Sequence, residues 1–195
     1  MYKSILPVVL SLFLLFSLSA NCQTTVSEEL IKNGIKLFDE EKYDEAINVF
    51  KLVNENDSNY FWMISELALT YLQKEKYDSA IYYADEGLAW PTVYRQHLMR
   101  TKGTAYDASG QPGHAIEIYK EAIRLYPYSY ILHYNLGVTY MKNDDYPNAV
   151  RCFQESLRCN PYHASSHMRL GNIMARQGLF TKALLSLETF LALEP

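Results

Sequence analysis

Small residues return along this chain at a fixed interval that leaves few folds open to it. Gly137 and Ala149 stand twelve apart; a step of 34 back reaches Gly103 and Ala115, and a step of 34 forward reaches Gly171 and Ala183. The pair recurs as Ala68 with Ala80 and as Gly34 with Ala46, and one spacing is longer by a single residue, around AWPTVYR. Larger residues keep the same beat. Three positions past each small residue stand Leu37, Tyr71, Tyr106, Tyr140 and Met174; between the halves come Tyr43, Tyr77, Pro112, Tyr146 and Phe180. Four positions past each alanine come Phe50, Ala84, Tyr119, Phe153 and Leu187, and Pro127, Pro161 and Pro195 close the last three units. Self-similarity at this period points to an array of small, stacked structural units.

Each unit reads as two antiparallel helices. In the fourth, Leu136 and Tyr140, then Val150, Phe153 and Leu157, recur at steps of three and four, the spacing of an amphipathic helix. Between them KNDDYP is polar and turn-prone. The closing proline stops the second helix, because its ring removes a donor and restrains the residue before it. One such hairpin cannot bury its apolar face, whereas five stacked hairpins bury it against their neighbours.

The five units resemble the tetratricopeptide repeat, with a small residue at position 8, large residues at 11, 17 and 24, alanine at 20 and proline at 32. They run 27–60, 61–95, 96–129, 130–163 and 164–195, so that a repeat domain spans 23–195. The resemblance implies an all-α, right-handed α-solenoid of helix-turn-helix repeats. In that reading Gly137 sits opposite Ala149, where the two helices of a unit come too close for a larger side chain. The chain departs from the family's pattern at position 4, where Leu30, Ile64, Met99, His133 and His167 replace tryptophan, and at position 7, where Asn33 and Lys102 are polar. Lys102 is expected to snorkel. Phe190 replaces the small residue at position 27 of the last unit.

Ahead of the array, Lys3 precedes an apolar run from Ile5 to Leu18 and then small and polar residues. That is the layout of a cleaved secretory signal peptide over 1–22. A membrane-spanning helix is the competing reading, but a span needs about 20 apolar residues and this run is shorter. Cleavage after Ala20 or after Cys22 fits, and Cys22 also allows a lipid anchor. Bacterial lipoprotein signals usually carry Gly, Ala or Ser before that cysteine, and Asn21 counts against the anchor. The expected location is therefore exported, periplasmic or at the cell envelope. Membrane contact would come only through Cys22 or an uncleaved signal. Without the first 22 residues, 17 basic and 22 acidic residues remain with no cationic stripe, which argues against a nucleic-acid partner. Cys152 and Cys159 lie seven apart on one predicted helix, about 10 Å along its axis. A disulfide needs Cα atoms within about 7 Å, so both read as free, apolar filler.

No catalytic motif emerges: there is no nucleophile with its base and no carboxylate pair in a recognisable motif. Cys159, His163 and His167 have a metal-like spacing, but Pro161 ends the helix between them; His167 reads as a core residue and His163 as a loop residue. GQPG at Gly110–Gly113 lacks the lysine and hydroxyl of a phosphate loop and reads as a turn. The expectation is a non-catalytic chain with no metal, cofactor or small-molecule substrate.

Binding is expected on the concave surface that the family lines with first-helix positions 2, 5, 9 and 12. Here these include Ile35, Trp62, Leu69, Arg100, Thr104, Tyr134, Val138, Met141 and Asn172. An exposed stripe this apolar marks an interaction site, and the implied partner is a peptide or helix of another protein. By position, Arg100, Asn135 and Arg169 match parts of a clamp for a C-terminal carboxylate in some family members, whereas Thr104 and Ser165 depart from it. The last helix, KALLSLETFLALE, shows leucines and no polar capping face. That suggests self-association, or an accessory or sensor region of a longer envelope protein whose effector domain lies beyond residue 195.

Overall fold

The computed structural model describes residues 26–193. The signal segment expected at 1–22, with Cys22, lies outside the described residues, as does Pro195. Among the described residues ten helices follow one another: α1 (26–39), α2 (Tyr43–Phe50), α3 (Tyr60–Gln73), α4 (Tyr77–Leu88), α5 (Arg95–Ala108), α6 (Pro112–Leu125), α7 (Tyr130–Lys142), α8 (Tyr146–Cys159), α9 (Ala164–Arg176) and α10 (Phe180–Leu193). No described helix is long and apolar enough to cross a membrane. The chain divides into two compact halves at Tyr94 and Arg95. The first half holds α1–α4, in which α3 packs on α4 and on α2. The second holds α5–α10, in which α5 pairs with α6, α7 with α8 and α9 with α10, while α6 packs on α7 and α8 on α9.

The hairpin turns share one device. Glu41, Glu75, Gly110, Asp144 and Gly178 each have a positive φ, between 58° and 78°. After each, the next amide reaches back five residues: Lys42 to the Leu37 carbonyl, Lys76 to Tyr71, Gln111 to Tyr106, Asp145 to Tyr140 and Leu179 to Met174, at 2.8–3.0 Å. This left-handed cap satisfies carbonyls that the helix end leaves open and reverses the chain within a few residues. The acceptor in each case is the main-chain carbonyl of the residue at position 11. Pro112 then starts α6, where its missing N–H has no intrahelical role.

Within each hairpin the crossing is set by positions 8 and 24. A Cβ on Gly137 would stand 2.8 Å from Cε1 of Phe153 and 3.1 Å from Cβ of Cys152. The close approach of the two helices expected at Gly137 is present, and the nearest atoms across it belong to the Phe153 ring and Cys152. Large helical side chains lean toward the N-terminus, so Phe153, one turn after Ala149, covers the glycine. Gly103 meets Tyr119 in the same way at 2.7 Å, Gly34 meets Phe50, and Gly171 meets Leu187 at 2.7 Å with the Ala183 carbonyl at 3.3 Å. The second repeat keeps the fit by the opposite choice, with Ala68 and Ala84, both fully buried.

Neighbouring repeats in the second half are joined through position 4. His133 Nε2 donates to the Pro127 carbonyl and His167 Nε2 to the Pro161 carbonyl, each at 2.9 Å. A histidine here closes the end of the preceding helix. His167 is half-buried, so it is an interhelical tie more than a core filler. His163 precedes α9 and contacts Ser166 at 2.8 Å, and Ser166 donates to the buried Ser156 on α8 at 3.0 Å. Lys102 lies over the Tyr106 ring at 5.8 Å, the snorkelling geometry expected of it. Cys152 and Cys159 are free thiols, and burial pushes Cys152 up to about 11.

Candidate binding surface

In the second half the expected residues fall on α5, α7 and α9, and their surroundings separate them into two kinds. Tyr134, Val138 and Met141 on α7 are half-buried and pack on a core of Ala149, Phe153, Leu170 and Ile173. The Tyr134 ring lies 5.7 Å from Phe153 and meets His163 edge-on at 4.9 Å. These three side chains therefore have one side against the core and the other open. Asn172 on α9 is exposed.

Arg100 and Thr104 on α5 are more committed. Thr104 donates to the Arg100 carbonyl at 2.9 Å, which leaves the Tyr119 hydroxyl as donor in its 2.9 Å contact with Thr104. Burial raises the Tyr119 phenol above its ordinary range. Thr104 is thus held by Tyr119, the one tyrosine at position 24, as much as it faces outward. Arg100 lies 3.4 Å from Nδ1 of His97. Because a guanidinium only donates, neutral His97 carries its proton on Nε2. That Nε2 is buried without a partner, as are Nε of Arg169 and Oγ1 of Thr101. Burial, reinforced by the Arg100 charge, holds His97 down at about 4.

In the first half, Ile35 on α1 and Trp62 and Leu69 on α3 are all half-buried, and Trp62 Nε1 donates to Glu66 at 3.2 Å. Reading by repeat position missed a different feature of this half. A cleft of ≈ 380 Å³ is lined by Glu55, Asn56, Tyr60, Phe61, Glu86 and Trp90. It adjoins a second of ≈ 460 Å³ that shares Glu55, Tyr60 and Glu86 and adds Lys51, Tyr82 and Tyr83. The signal that could have found it is the one longer spacing in the period, since Trp90 stands inside it. No group of three metal-ligating side chains is assembled among the described residues.

Helical hairpins closed by a left-handed turn, crossed at a glycine and presenting half-open first helices define an all-α helical-repeat protein. Family models described as tetratricopeptide repeat match residues 130–163 and 101–129, so repeats of this kind occupy the first two hairpins of the second half. Among solved structures, a crystal structure of MamA is 21% identical, with a TM-score of 0.68 over 82% of this chain and 93% of that one. MamA from Desulfovibrio magneticus RS-1 is 15% identical, with a TM-score of 0.68 over 86% and 94%. A thermophilic TPR protein from Thermus thermophilus, TTC0263, is 19% identical, with a TM-score of 0.71 over 87% and 92%. At these identities the likeness shows the fold, a solenoid of helical hairpins. No curated protein sequence matches the chain.

Proposed function

We propose that the chain is a non-catalytic protein-protein interaction scaffold that grips a peptide or helix of a partner on the open face of its first helices. The observation that carries this reading is the set Tyr134, Val138 and Met141, three large side chains left half-open over a rigid buried core. An apolar stripe so supported offers contact area at low ordering cost. Arg100, half-buried on α5, supplies donors for carbonyl or carboxylate groups of the bound segment. Export to the periplasm or cell envelope belongs to the same proposal and is drawn from the layout of residues 1–22.

A photo-crosslinking amino acid at Val138 tests the surface against the same group at exposed Arg151 on α8. The expected result is a discrete adduct from Val138 alone, lost when Tyr134 and Met141 are both changed to alanine. Equal adducts at both sites, or an adduct indifferent to the double change, would overturn the reading. Fractionation of the host cell tests export separately. A second reading, an accessory or sensor region of a longer envelope protein, draws on α10, where Leu184, Leu185 and Leu191 are exposed. Concentration-dependent sedimentation abolished by Leu184→Ser with Leu191→Ser would favour self-association over that reading.

A further inference from the structure

The cleft around Trp90 lies entirely in the first half and contains none of the residues assigned above to the binding surface, so a ligand held there would not depend on that surface. Its walls come from three places. Glu55 and Asn56 belong to the α2–α3 connection, Tyr60 and Phe61 to the first turn of α3, and Glu86 and Trp90 to the end of α4 and the residues after it. Three aromatic rings, two carboxylates and one amide thus face ≈ 380 Å³, and no lysine, arginine or histidine is among the lining residues. The 34-residue packing pattern does not call for this collection, because Trp90 occupies the irregular spacing and is 61% exposed.

The two carboxylates converge. The Tyr60 hydroxyl donates to Glu86. Burial, Glu86 and Glu55 together raise the Tyr60 phenol well above its ordinary range, so both negative charges act on the same ring. Tyr60 and Phe61 stand edge to face at 5.8 Å. The nearest cation in the adjoining cleft, Lys51, lies over the Tyr71 ring at 5.7 Å and is engaged by Tyr71 and Tyr83. Negative charge between aromatic faces selects an organic cation. Of the natural ones, a guanidinium fits best: it is planar, stacks on rings and carries a fork of donors for carboxylate oxygens and an amide.

We propose that the Glu55–Glu86–Trp90 cleft is a second binding site, which takes the side chain of an arginine presented by a partner protein. Glu55 and Glu86 bind the fork, Trp90 and Phe61 bracket its plane, and Tyr60 holds Glu86 in place.

The test uses the full chain carrying Trp62→Phe, so that the indole N–H of Trp90 is the only one observed by NMR. The probes are acetyl-Gly-Arg-Gly-amide, its citrulline counterpart of the same shape without charge, its lysine counterpart, and choline. The arginine peptide is expected to move the Trp90 signal saturably, and the citrulline peptide to leave it in place. Glu55→Gln with Glu86→Gln should weaken the arginine peptide by about tenfold, since two charge-assisted contacts lose their charge. Glutamine at Glu86 still accepts from Tyr60, and Glu55→Gln alone, at an exposed position, serves as a second variant that should weaken binding in the same direction. No movement with the arginine peptide, equal movement with citrulline, or an unaltered titration in the double variant overturns the site. Equal or tighter binding of the lysine peptide or choline overturns the assignment to arginine.

Discussion

Replacing Gly137 with alanine should weaken the fold, although alanine is the better helix former. In an unconstrained helix the change would stabilise by about 1 kcal/mol. Here the new Cβ falls 2.8 Å from Phe153 Cε1, whereas carbon atoms settle at roughly 3.5–4.0 Å. Phe153 is fully buried between α7, α8 and α9, so its ring has no open side to move into. Overpacking of this kind costs about 1–3 kcal/mol, which leaves Gly137→Ala destabilising by roughly 0–2 kcal/mol after the helical gain is subtracted. Phe153→Ala alone removes a buried ring and should cost about 3–5 kcal/mol.

The informative species is the double variant, which recreates the Ala68 and Ala84 pair of the second repeat. With the ring gone, the new methyl meets no obstacle and the helical gain is recovered. The double variant should therefore be more stable than the sum of the single changes by about 1–3 kcal/mol. Urea unfolding of all four chains, followed by circular dichroism, measures the cycle. Additivity within about 0.5 kcal/mol, or a Gly137→Ala chain that is more stable by the full helical increment, would refute the claim that positions 8 and 24 are chosen together. Ala84→Phe in the second repeat is the reciprocal control, and should destabilise because Ala68 already fills the space that glycine leaves elsewhere.

Glu75→Gly should stabilise by about 0.5–1 kcal/mol, because Glu75 holds a φ of 58° where a side chain is strained, and Gly110→Ala should cost a similar amount; thermal unfolding reads both. His97 is held at about 4 in the folded chain against about 6.5 unfolded, so the unfolded state takes the proton first. Its contribution, on the order of 2 kcal/mol, is intact above about pH 6.5 and is lost as the pH falls toward 4. Urea midpoints at pH 7 and 4.5 should accordingly draw closer in His97→Gln, and an unaltered gap would count against the burial argument. His133→Phe removes the tie to the Pro127 carbonyl and should cost about 1–2 kcal/mol in the same assay.

The paired helices and their small crossing residues were legible because packing enforces them at a spacing that repeats. The close approach at Gly137 was legible, but the ring that stands over it was not, for a geometric reason. Matching small to small across the hairpin ignores the lean of a long side chain, which brings Phe153 back over the turn before it. The left-handed turns were half hidden: Gly110 and Gly178 announce them, but Glu41, Glu75 and Asp144 do not. Nothing in the chain marks the bond from His133 to Pro127, since a backbone carbonyl has no residue signature. At the candidate surface, first-helix position placed Tyr134, Val138 and Met141 on partly open helix faces. It could not tell that Thr104 bonds to Tyr119, because that depends on a hydroxyl that Phe50 and Phe153 lack at the equivalent place.

Periodicity itself separates packing from recognition in a chain of this kind. Where the five units keep a residue class, as with the small residue at the crossing and the alanine at position 20, the neighbouring helix dictates the choice. Where they disagree, packing is satisfied by several residues and another constraint decides. First-helix position 5 carries Ile35's neighbour Ile31 in one unit but Arg100 and Tyr134 in others, and Ile31 is buried while the latter two are half-open. The one extra residue near Trp90 is the strongest disagreement in the chain, and it coincides with an exposed indole beside two carboxylates. Trp90 lies outside the positions at which the 34-residue pattern repeats. The two proposed sites therefore stand at the positions that the repeat leaves free.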